Sequence, residues 1–139
     1  MSYATPQNLI DDFGADEMRQ LTDDAGTGQI DMAALETALV DAEVEINSHI
    51  AGRAQLPLAT VPPLLTRIAK ALARYQLHGD RITQAVQTHR DNAVALLKGI
   101  SRGDVSLGLD ALNQPVPESG GVAYRAAERV FDAAGLVDY

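Results

Sequence analysis

Three basic residues, Arg67, Lys70 and Arg74, fall at i, i+3 and i+7, a spacing that lines them along one side of a helix. Such a stripe, extended by Arg81, can track nucleic-acid phosphates, because regularly spaced cations neutralise a regularly spaced backbone. It can also meet carboxylates, within the fold or across a subunit boundary. No aromatic residue lies between Arg67 and Arg74 to stack on bases. Carboxylates are therefore the expected partners.

A second candidate is the acidic, glycine-containing loop Asp23 to Asp31, which has the look of a calcium loop. Setting Gly28 at the sharp-turn sixth position puts Asp23 at position 1, Ala25 at 3, Thr27 at 5, Asp31 at 9 and Ala34 at 12. A calcium site needs an oxygen ligand at position 3 and a bidentate carboxylate at 12, and alanines stand at both. A capped loop with exposed carboxylates is expected there. His49, His78 and His89 are not spaced as paired metal ligands. No phosphate loop, dinucleotide-binding glycine pattern or serine nucleophile elbow occurs, and nothing promotes Ser48, Ser101, Ser106 or Ser119 to catalysis. The expectation is no enzyme, no cofactor and no metal.

The elements that position these residues follow from composition. Alanine (22) and leucine (16) supply most of the apolar content of the 139 residues, and aromatics are 4%. That balance favours helices, so an all-α bundle of four to five helices is predicted. Cysteine is absent, which removes disulfides, thiolate nucleophiles and Cys-ligated metals. No apolar run reaches membrane-span length, and Asp11, Asp12, Asp16 and Glu17 contradict a signal peptide. A soluble chain made inside the cell is expected. The net charge of -8 is segregated: residues 1–50 carry 11 acidic and 1 basic side chains, 51–103 carry 2 and 8, and 104–139 carry 6 and 2. Segregation of this kind suggests complementary surfaces, between helices of one subunit or between subunits placed head to tail.

Along the chain, Thr5-Pro6 starts a short helix that Gly14 ends, and a second short helix covers Ala15 to Leu21. Asp31 caps a long helix that turns Met32, Leu35, Leu39, Ala42, Ile46 and Ile50 inward and Glu36, Asp41, Glu43 and Glu45 outward, with Gly52 placed to end it. Prolines 57, 62 and 63 force an extended connector over 53–61, whose apolar side chains dock on the bundle. The next helix starts at Pro62 or Pro63 and uses Leu65, Ile68, Leu72 and Tyr75. The last long helix, Ile82 to Ile100, buries Val86, Ala93, Leu97 and Ile100 before Gly103. Residues 1–103 thus read as the bundle, 104–121 as a linker, and 122–139 as a C-terminal arm or short helix.

Five stretches, Tyr3 to Gly14 (YATPQNLIDDFG), Gln20 to Asp31 (QLTDDAGTGQID), Ala51 to Leu58 (AGRAQLPL), Val61 to Arg81 (VPPLLTRIAKALARYQLHGDR) and Arg102 to Leu109 (RGDVSLGL), stand in an order and spacing that carry a resemblance. The chain resembles the Mu-like prophage head-tail connector family, and Arg129-Val130-Phe131 with Leu136 resembles that family's closing motif. The resemblance implies a virion structural protein of the neck, made in the host cytoplasm. It would form a homo-oligomeric ring matched to a dodecameric portal and join the portal protein to the next neck or tail protein. Another neck role, stopper or tail completion, is the alternative, with a small helical DNA-binding protein behind it.

Charge makes the ring reading coherent. Glu36 and Glu43 of one subunit are expected to face Arg67, Lys70 and Arg74 of the next, and the net negative charge suits a lumen that DNA crosses without specific binding. Tyr124, Arg129, Val130, Phe131 and Leu136 are the expected anchors of a partner-docking arm.

Overall fold

The computed structural model describes residues 2–108 of the chain; the arm residues Tyr124, Arg129, Val130, Phe131 and Leu136 lie outside them. The described residues form five helices and no strand: α1 Pro6–Phe13, α2 Ala15–Thr22, α3 Met32–Ile50, α4 Pro63–His78 and α5 Gln84–Arg102. The all-α bundle expected from composition is the observed fold.

Local chemistry explains the helix ends. The Thr5 hydroxyl accepts from the Asn8 amide and the Asn8 side chain accepts from the Thr5 amide, a reciprocal cap with Pro6 in the first turn. Gly14 at φ +93° ends α1 and begins α2, a conformation that a side chain would strain, so the two short helices fold back as a hairpin. Asp31 accepts from the Ala33 and Ala34 amides and starts α3. The Thr83 hydroxyl accepts from the Val86 amide, so α5 begins at Gln84, just past Ile82.

The three long helices pack on one another and the α1–α2 hairpin lies across α3 and α4. The core stripe of α3 is Leu35, Ala38, Leu39, Ala42, Ile46 and Ile50. It meets Leu65, Ile68, Ala69 and Leu72 of α4 and Ala93, Leu97 and Ile100 of α5. Leu9 and Met18 close the hairpin side, each fully enclosed. Burial of this kind contributes about 1.5–3 kcal/mol for each large apolar side chain and dominates the stability. The connector after α3 runs as expected: Leu58 is 1% exposed and belongs to the core.

Four positions differ from the expectation. Met32 is in phase with the core stripe yet 46% exposed, because it occupies the first turn of α3, at the end of the bundle. Tyr75 is half-buried, its ring covered by Arg90 at 4.7 Å. Val105 and Leu107, assigned by sequence to a linker, pack against the core, and the Asp104 and Val105 amides donate to the Gly99 carbonyl.

Candidate assembly surfaces

The stripe on α4 forms as its spacing requires, but two of its three cations are engaged inside the subunit. Lys70 Nζ donates to the Asp12 carboxylate at the end of α1. Arg74 donates to Glu17 of α2 through Nε at 2.7 Å and Nη2 at 2.9 Å, and its guanidinium lies 4.3 Å from the centre of the Phe13 ring. Within the subunit, Lys70 and Arg74 thus meet carboxylates of their own hairpin. The turn at Gly14 brings Asp12 and Glu17 onto α4, so the carboxylate partners come from the hairpin and not from the acidic face of α3. Arg67 stands apart: it is exposed and makes no hydrogen bond or ion pair among the described residues.

The acidic face of α3 is also divided. Asp41 accepts from the Gln76 amide of α4, and Glu45 lies 3.7 Å from Arg90 of α5. Glu43 is half-buried, and its charge, after burial itself, raises the pKa of Tyr3. The Tyr3 hydroxyl donates to Asn47, and its carbonyl accepts from Thr66 Oγ1 at 2.8 Å, which ties the N-terminus to α3 and α4. Glu36 remains exposed without a partner among the described residues. Beside it run Val40, 53% exposed, and Val44, 64% exposed. Met32, Glu36, Val40 and Val44 make a row at four-residue intervals, and the first, third and fourth are the exposed large apolar residues of the described chain. The charges alone make the outer face of α3 acidic; the four-residue spacing of Val40 and Val44 is the sequence signal that it is apolar as well.

A groove of about 240 Å³ opens between α4 and α5 beside the end of α1. Phe13, Ile68, Ala71, Ala93 and Leu96 supply its apolar lining, and Asp12, Arg67, Lys70, His89 and Asn92 its polar lining. No residue of α3 lines it.

The Asp23 loop is closed on itself. One Asp23 oxygen accepts from the Thr27 amide at 2.7 Å and the Thr27 hydroxyl at 3.0 Å, and the other accepts from the Gly28 amide at 2.7 Å. Those amides, Thr27 first, hold the Asp23 pKa below the usual carboxylate range. The carboxylate shapes the turn that leads to the Asp31 cap. His49 contacts the Glu45 carbonyl at 3.1 Å, and His78 is buried at the end of α4, 8% exposed, with neither ring nitrogen hydrogen-bonded. Burial lowers the His78 pKa, aided by Arg74 and Arg81 and opposed by Glu17. Ser48 donates to the Glu45 carbonyl at 2.6 Å and Ser101 supplies its carbonyl to Arg53 Nε at 3.0 Å. The three histidines thus occupy three separate settings.

Fold and surfaces together define a small helical bundle whose charges stitch its own helices, with a cationic groove and an apolar row left outside. The chain belongs to the family described as Bacteriophage Mu, Gp36, whose model matches residues 3–126. It is 30% identical over 129 residues to the Mu-like prophage FluMu protein gp36 of Haemophilus influenzae, covering 93% of this chain and 92% of that protein. It is also 30% identical over 119 residues to gene product J of Escherichia phage Mu, covering 85% and 84%. It is a phage protein.

Proposed function

We propose that this chain is a non-enzymatic structural protein of the virion neck, a head-to-tail connector that forms a ring, dodecameric in the particle, between the portal protein and the next neck or tail protein. Membership of a phage family sets the context. The observation that carries the reading is the row on α3: all exposed large apolar residues of the described chain fall on one helix, next to an unpaired carboxylate. An apolar row exposed along a long helix is a surface for assembly. Ring formation needs two unlike surfaces on each subunit, and the groove around Arg67 supplies the second. The net charge of -8 disfavours phosphate contact in a lumen that DNA must cross.

The test is the mass of the purified chain alone and with the portal protein of its own phage, by native mass spectrometry or light scattering. A chain that joins the portal in ring stoichiometry supports the connector. A chain that ignores the portal overturns it and favours the stopper or tail-completion reading. The DNA-binding reading loses force because Lys70 and Arg74 already hold carboxylates.

A further inference from the structure

We propose that the α3 row of one copy, Val40 and Val44 with Glu36, seats in the α4–α5 groove of the next copy, with Glu36 set against Arg67. This deepens the ring reading above and rests on it.

Three observations favour a second copy as the occupant. The first is charge complementarity. The unpaired side chain at the row is a carboxylate; of the charged side chains lining the groove, Asp12 and Lys70 pair with each other, which leaves the Arg67 guanidinium unpaired. The second is apolar matching: the valines are exposed on the row, and Phe13, Ile68, Ala71 and Leu96 are among the side chains that line the groove. The third is placement. Val40 and Val44 are each about 160° around α3 from the buried Ala42, at 100° per residue, and no α3 residue lines the groove. The two surfaces are separate, so one copy engages two neighbours at once. An interface between unlike patches is heterologous and continues from copy to copy until it closes as a ring.

The chain has no cysteine, so introduced thiols report without background. The experiment uses full-length Val44→Cys, Ala71→Cys and the double variant, oxidised alone and after co-expression with the portal protein. The double variant is expected to give a ladder of covalent multimers. An equimolar mixture of the two single variants is expected to give dimers only. Val44→Cys alone should stay monomeric; self-cross-linking would instead mean a two-fold α3–α3 contact and overturn the proposal.

Charge exchange is the second readout. Arg67→Glu and Glu36→Arg are each expected to weaken association by about tenfold or more, and the double exchange to recover it, which also controls for folding. Rings that form without the ladder, or that tolerate both single reversals, overturn this interface and leave the connector reading standing. In that case residues 109–139 become the alternative occupant of the groove. A chain that stays monomeric alone and with the portal overturns both.

Discussion

The Arg74 guanidinium closes on the Glu17 carboxylate through two parallel hydrogen bonds, joining α4 to a hairpin 57 residues earlier in the chain. The pair is mostly enclosed, at 17% and 28% side-chain exposure, and Phe13 covers the guanidinium plane. A cation that sequence spacing assigns to a binding stripe therefore helps to fasten the first 22 residues to α4.

Arg74→Lys keeps the charge but loses the fork and the stacked plane, so it is expected to cost about 1–2 kcal/mol. In a domain of this size that lowers the melting temperature by about 3–6 °C. Thermal unfolding followed by circular dichroism measures it; an unchanged melting temperature would mean the pair adds nothing to stability. Arg67→Glu, lacking any such pair, should melt as the parent does.

His78 sets an acid limit. Its pKa lies below 6.5 in the fold, so the unfolded chain binds the extra proton first as pH falls. Its contribution is complete above pH 6.5 and declines as pH drops below that value. Melting temperatures of the parent should fall between pH 7 and pH 5, and His78→Leu should fall less. Parallel curves would remove His78 as the cause.

Gly99 faces the segment that follows α5. A Cβ there would stand 2.8 Å from Val105 Cγ2, and a β-branched side chain turns aside with difficulty. Gly99→Ala is expected to destabilise by about 1 kcal/mol, the clash outweighing the gain in helix propensity. Adding Val105→Ala should recover part of the loss. A simple sum of the two single effects, read by urea unfolding, would contradict the contact.

Leu58 tests the connector. Its enclosure predicts a loss of about 2–4 kcal/mol in Leu58→Ala, against under about 0.5 kcal/mol for the exposed neighbour Ala59→Ser. Equal effects would mean that the connector does not anchor α4.

Helix ends were legible because capping is local: Thr5, Gly14, Asp31 and Gly103 each act on residues within one turn. The stripes of α4 and α5 were legible from periodicity. What the pattern left open is which distant charge each cation meets. Asp12 and Glu17 sit on eight-residue helices too short to declare a docking direction, and the turn at Gly14 decides it. Met32 shows the same limit, since phase along a helix says nothing about where the neighbouring elements stop. Val105 and Leu107 read as linker because two apolar residues among turn formers carry no period.

The anchoring of residues 104 and 105 on the Gly99 carbonyl also has a mechanical side. A pull on the chain beyond Gly108 is received first by the last turn of α5. Arg53 clips that turn to the connector after α3 through the Ser101 carbonyl, 3.0 Å away, with its guanidinium packed against Gly103. Load entering from the C-terminal side is thereby passed to the connector after α3 as well as to α5.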